Sequence, residues 1–490
     1  MIMLENFNIL SNVQNQLYAT IIANFVIISY GMFTGWLSPA LPLLISEDTP
    51  LHTGPMTNAD LSWIGGAVSI GAVVGTILFG VLSVKYGSKL AMTCCALPCI
   101  AFWILIYIGD TFYYVFFARL FGGVAGGAFL NVETYVHEIA NNKIRNRLGS
   151  ILPLAKNVGI AMSFIGGSYI PYGYRAMFFI VIPLIYLVWV TTLPNTPQHY
   201  LQKDKFLKAE KSIKYYNGCE GKSDHEKAIF KTEYQKFIAN EQERRKRTKI
   251  ELKDFQNRMA LKGFATSFAM AWLMQTTGIV IIINYASLIF QECGTSLSVN
   301  ASSIVLAIIQ IVGGVVSTLL GDFRRKTTLY FSLSCSAFGL FIFTLYSYLR
   351  HSEYDVSHFL WLPVISLSFV IFTSSVGIVA ISNACALENF SPKIRPIGVM
   401  FHSLCLNAVA FVGDIFFPIS LEVVYLHGSM LILGINCCVG LICVAFMDET
   451  KGTSIDSVDP PENNAPVPKP SPMPSLSMRQ HLRNKLSDHF

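Results

Sequence analysis

LSWIGGAVSIGAVVGTILFGVLSV (residues 61–84), followed at once by KYGSK (85–89), is the stretch that decides what kind of fold this chain adopts. Residues 61–84 carry no charged side chain. A helix needs about 20 mostly apolar residues to cross the hydrocarbon layer of a bilayer, and this run suffices. A spanning β-strand would alternate apolar and polar residues, whereas this run is apolar almost all round. It reads as a membrane helix that ends where Lys85 and Lys89 return the chain to water.

Outward from this run, the same pattern recurs. In the first half, spans are predicted at 17–37, 61–84, 90–109, 113–133, 148–170 and 177–193; in the second, at 263–290, 302–320, 328–349, 359–387, 398–421 and 429–447. The composition agrees, since 52% of the 490 residues are hydrophobic and 13% charged, against roughly a quarter charged in soluble domains. The net charge of +6 is dispersed among loops and forms no nucleic-acid-binding face. Nine of the eleven cysteines, among them Cys94, Cys95, Cys437 and Cys438, fall inside apolar runs and read as small buried residues, not a disulfide framework. No cleavable signal is evident, because Met1–Gln16 lacks a basic start and a small-residue cleavage site.

Cations mark every second loop: Lys85 and Lys89; Lys143, Arg145 and Arg147; the central segment; Arg324, Arg325 and Lys326; Lys393 and Arg395. Short cytoplasmic loops carry such an excess, so these loops and both termini are expected inside the cell. The expected organisation is a cytoplasmic N-terminus (1–16), a six-helix bundle (17–197), a cytoplasmic linker (198–258), a second six-helix bundle (259–449) and a cytoplasmic tail (450–490). From about residue 460 the tail is Pro-rich and expected to be disordered. Asn300, in an Asn-Ala-Ser sequon on the predicted outer side, is a candidate glycosylation site.

The halves read as a duplication. GVLSVKYGSK (80–89) and GDFRRK (321–326) hold the same place in each half, as do Glu138 with Arg145 and Glu388 with Arg395. A carboxylate at one helix end and an arginine at the next helix start can pair and latch the inner side of a bundle.

With these motifs the chain resembles the sugar porter family of the major facilitator superfamily, and within it the insect facilitated trehalose transporters and animal facilitative glucose transporters. Further matches are Ser38-Pro39-Ala40-Leu41, Trp63-Ile64-Gly65, Arg119-Leu120-Phe121-Gly122-Gly123, Pro194-Asn195-Thr196-Pro197 in place of PESP, Gln275-Thr276-Thr277-Gly278-Ile279 and Glu449-Thr450-Lys451-Gly452. The resemblance implies an all-α membrane protein of twelve helices and facilitative transport of a hexose or trehalose by alternating access. It implies a solute site among Gln275, Gln310, Tyr285, Asn383 and Asn407, and a conformational latch of Arg119, Glu138, Arg145, Glu388 and Arg395. No cofactor, metal or nucleic-acid partner is implied, and no enzymatic activity.

The pocket departs from the family pattern. The fifth-span glutamine falls on Pro153, the first seventh-span glutamine on Met274, the nearby asparagine on Val280, and the eleventh-span Asn-Trp pair on Leu406 and Asn407. Two alternatives therefore stand beside sugar transport: a carrier of a non-sugar solute, and a sensor that transports little. Charges at bilayer depth are functional candidates. Glu133 and Lys156, on neighbouring spans, are expected as an ion pair, a coupling site or a snorkelling lysine, and Asp414 is expected in water near the outer mouth. The first span lacks the acid that proton-coupled relatives pair with Arg119, which implies uncoupled transport.

Overall fold

The computed structural model describes residues 2–141, 144–217, 252–320, 323–391, 393–447 and 449. Every regular element among them is a helix. Twelve are long and apolar enough to cross a membrane: Gln14–Leu44, Asn58–Tyr86, Ser88–Ile108, Phe112–Ile139, Arg147–Tyr169, Tyr172–Val190, Arg258–Asn284, Val299–Leu319, Arg325–His351, Ser357–Cys385, Arg395–Val423 and Tyr425–Phe446. The predicted spans agree with these in number and order, with ends shifted by several residues in either direction: the first runs on to Leu44, the seventh stops at Asn284. The first helix begins at Ile2, well before the predicted span. The charged run 243–249 of the linker and the tail 450–490 lie outside the described residues, as do Lys143, Asp322 and the side chain of Glu388.

Within lipid there is little hydrophobic drive between helices, so close packing needs small residues. The second and fourth spans meet through Gly71, Gly75 and Gly123; a Cβ on Gly75 would lie 2.0 Å from the Val124 carbonyl oxygen. Gly31 and Gly159 bring the first and fifth spans together in the same way.

The helix pairing repeats with an offset of six. The first span packs on the fifth and the seventh on the eleventh; the second on the fourth and the eighth on the tenth. Between the bundles, the second span meets the eleventh and the fifth meets the eighth. Adding six to each number turns one of these contacts into the other, as a two-fold axis between duplicated halves requires.

We call the side where the second span ends and the third begins the linker face, and the other the far face. On the linker face, helices Pro197–Gln202 and Phe206–Tyr216 dock on the first bundle. Asn15 Nδ2 donates to the Tyr215 carbonyl (2.7 Å), Tyr216 Oη to the Pro194 carbonyl (2.8 Å), and the Tyr135 and Tyr216 hydroxyls are 2.8 Å apart. The other end of the linker, helix Leu252–Gln256, reaches the second bundle through an Asp254–Lys393 ion pair of 2.7 Å.

Candidate functional site

The seventh and tenth spans are broken near mid-membrane by residues that leave the right-handed helical conformation, and there freed backbone groups and polar side chains can face a cavity. The seventh divides into Arg258–Thr276, Ile279–Asn284 and Ala286–Cys293, with Gly278 at φ +88° in the first break. The tenth divides into Leu362–Val376 and Ile378–Glu388 at Gly377. Ser332 of the ninth span repairs that break: its hydroxyl donates to the Thr373 carbonyl (2.8 Å) and accepts from the Ile378 amide (3.3 Å).

Gln275 lies in the last turn before the seventh-span break. Its Nε2 donates to the Leu406 carbonyl at 3.2 Å, while its buried Oε1 has no partner among the described residues. Gln310 of the eighth span likewise has a buried Oε1 without a partner. Its backbone carbonyl accepts from Asn157 Nδ2 of the fifth span at 3.3 Å, a contact that crosses between the bundles. Sequence reading missed Asn157; the signal was an amide one helical turn beyond Pro153, on the same face. Asn383 is half-buried just past the tenth-span break, and Asn407, also half-buried, donates to the Ser403 carbonyl of its own helix at 2.8 Å.

Tyr285 is fully buried and donates to the Asp414 backbone carbonyl at 3.0 Å, so it belongs to a seal on the far-face side. Asp414 corrects an expectation. It does not stand in water but is 3% exposed, and its Oδ1 accepts from Asn284 Nδ2 at 3.0 Å. The bundles close over it because Gly65 lets the second span approach; a Cβ there would lie 2.4 Å from the Tyr285 hydroxyl. The Ser38 and Ser287 hydroxyls, 3.0 Å apart, and Asn58 donating to Glu422 at 2.6 Å continue the seal. A crevice of about 450 Å³ on this rim is lined by Trp63, Ile415, Asn58 and Glu422. The last two satisfy each other, which leaves it little to offer a polar solute.

The proposed latch residues divide. Glu138 Oε2 accepts from Ser88 Oγ at 2.6 Å. Arg145 Nη2 donates to the Ala140 carbonyl at 3.2 Å and Arg395 Nη2 to the Phe390 carbonyl at 3.4 Å. In both cases the acceptor lies five residues back, so the duplication read in sequence is repeated in hydrogen-bond geometry. Arg119 is not with them: it is 1% exposed, nearer the far face, and donates to the carbonyls of Phe33 (2.7 Å) and Ile64 (3.3 Å).

Lys156 and Glu133 are not brought together as an ion pair. The fifth span packs on the first, so the Lys156 ammonium sits over the Tyr30 ring, 5.2 Å from its centre. Asn300 is exposed in the first turn of the eighth span, while the sequon's Ser302 is buried. His402 joins three spans, its ring nitrogens 3.0 Å from the Ser267 carbonyl and 3.3 Å from the Ser382 hydroxyl.

Comparison with known proteins agrees with this architecture. A sequence model of the family described as "Sugar (and other) transporter" matches residues 52–460. The chain is 27% identical over 451 residues to the facilitated trehalose transporter Tret1 of Bombyx mori, covering 91% of this chain and 86% of the relative. It is 26% identical over 433 residues to Tret1 of Culex quinquefasciatus, covering 88% and 82%. Among solved structures, the xylose transporter XylE from E. coli in an inward-open conformation superposes with a TM-score of 0.71 at 17% identity, covering 89% of this chain and 97% of that one. XylE bound to 6-bromo-6-deoxy-D-glucose gives 0.70 at 16%, covering 91% and 98%. The helix pairing carries the superfamily fold and the sequence match runs through both bundles: the chain belongs to the sugar porter family of the major facilitator superfamily, a family of membrane transporters and not of enzymes.

Proposed function

We propose that this transporter is a facilitative sugar carrier of the plasma membrane, with a hexose or trehalose as solute and alternating access as mechanism. The observation that carries the reading is a pair of glutamine side chains, Gln275 and Gln310, whose buried carbonyl oxygens have no partner among the described residues. An unsatisfied buried acceptor costs roughly 1–3 kcal/mol, and a solute rich in hydroxyl donors would relieve it. The curated relatives above carry the name facilitated trehalose transporter. Uncoupled flow is supported by the first span, residues 14–44, which contains neither Asp nor Glu. The linker face bears Lys85, Arg145 and Arg395, which supports a cytoplasmic linker and cytoplasmic termini.

Uptake of radiolabelled trehalose and glucose into cells expressing the chain is expected to be saturable and indifferent to a protonophore. Gln275→Ala should reduce it about tenfold at equal surface expression. Failure to take up either sugar, with the chain at the surface, would overturn the reading. A second reading, a less polar solute, is favoured by Met274 and Val280, half-buried against apolar clusters where the family carries amides. In that case neither sugar competes for transport and an apolar hydroxylated solute does.

A further inference from the structure

The far-face seal contains two opposite charges that solute binding does not use. Arg119 lies seven residues into the fourth span, about 10 Å below its end at 1.5 Å per residue. Asp414 lies nine residues before the end of the eleventh. Both are buried, and a charge at such depth needs an opposite charge as well as hydrogen bonds. The hydrogen-bond partners of Arg119 are neutral carbonyls. Those of Asp414 are Asn284 and Ser69, neutral as well. Consecutive residues of the second span connect the two: Arg119 Nε donates to the Ile64 carbonyl, and a Cβ on Gly65 would lie 3.3 Å from the Asp414 carbonyl oxygen and 3.4 Å from the Asp414 Cβ.

The two charges belong to different halves of the molecule. Arg119, Phe33, Ile64 and Ser69 are in the first bundle; Asp414, Asn284 and Tyr285 are in the second. They therefore lie on either side of residues 64 and 65, at the seam between the second and eleventh spans that must part for the far face to open. We propose that Arg119 and Asp414 are the electrostatic bolt of the far-face gate, an acid contributed by the opposite bundle holding the fourth-span arginine while the gate is shut.

The sign of its effect follows from burial. An intact buried pair need not be strongly stabilising, because desolvation offsets attraction. Removing one partner, however, leaves the other charge buried and uncompensated, and only opening to water relieves it. A single neutral substitution should thus push the gate open, and neutralising both should let it close again.

This inference rests on alternating access, and its test reads conformation and needs no solute, so failure to find the solute leaves it separately testable. Ser38→Cys places a thiol at a residue buried in the seal beside Ser287. The full-length carrier, purified in detergent so that both faces are accessible, is treated with a hydrophilic maleimide, and labelling at position 38 is timed by mass spectrometry. Asp414→Asn should accelerate labelling about tenfold, a typical size for coupling between conformational states. Asp414→Glu, which keeps the charge, should stay within about twofold of the parent. Arg119→Gln combined with Asp414→Asn should return most of the way to the parent rate. Unchanged labelling in Asp414→Asn, or a double substitution as fast as the product of the two singles, would overturn the proposal.

Discussion

Gly87 and His199 show how a loop signature acts at the scale of one residue. Gly87 has φ +97° and ψ 153°, a region that only glycine occupies at low cost, and a Cβ on it would lie 2.5 Å from Nδ1 of His199. Gly87→Ala is expected to destabilise the fold by roughly 1–3 kcal/mol, from backbone strain before the clash is counted; thermal unfolding in detergent measures it. His199 lies outside the spans. Burial, then Lys203 and Lys205, lower its pKa from the ordinary imidazole value. Because the folded state releases its proton more readily than the unfolded chain, stability is constant well above pH ~6.5. It falls as acid protonates the unfolded imidazole first, until the folded ring also titrates. His199→Gln should flatten that acid limb in a pH series of unfolding temperatures, leaving the neutral-pH value nearly unchanged. The loop was legible, because the lysines of KYGSK mark where the second span ends; the histidine over its glycine, 112 residues later in the chain, was not.

The helices illustrate the same limit at the next scale. Twelve apolar runs announce twelve spans, since length and the exclusion of charge are local properties. Breaks are not local. The seventh span reads as one run through Gly278, because a single glycine is compatible with a continuous helix. The tenth reads as one run through Gly377, whose geometry depends on the distant Ser332 hydroxyl. Ser332→Ala removes that hydroxyl from a buried site and leaves the Ile378 amide without this acceptor. We expect a loss of about 1–3 kcal/mol, read as a lower unfolding temperature. The candidate site shared this split. Gln275 and Gln310 were legible from motif position, whereas Asn157 and Asp414 gain their meaning from contacts with the opposite bundle, at Gln310 and Gly65.

At the scale of the molecule, duplication makes a prediction that no single bundle could. Arg145 and Arg395 each fold back to a carbonyl five residues earlier, tying the end of the fourth or tenth span to the start of the fifth or eleventh. Lysine cannot reproduce the planar fork of arginine, so Arg145→Lys and Arg395→Lys should slow transport by similar factors. A second pair of equivalent positions has diverged. Glu449, after the last span, accepts from the amides of Arg325 (3.0 Å) and Lys326 (3.2 Å), capping the ninth span where the helix dipole favours an anion. Its counterpart after the sixth span is Asn195, whose side chain instead donates to the Tyr200 hydroxyl at 3.4 Å, while the Lys89 ammonium holds the Leu193 carbonyl. Glu449→Gln should therefore lower the unfolding temperature of the carrier, with a loss of roughly 1 kcal/mol expected for a helix cap, whereas Asn195→Gln should change it little. Equal effects at the arginines with unequal effects at 449 and 195, measured side by side in the full chain, would separate what the two halves still share from what one has lost. Equal effects at both pairs would mean that the Glu449 cap contributes nothing beyond its counterpart.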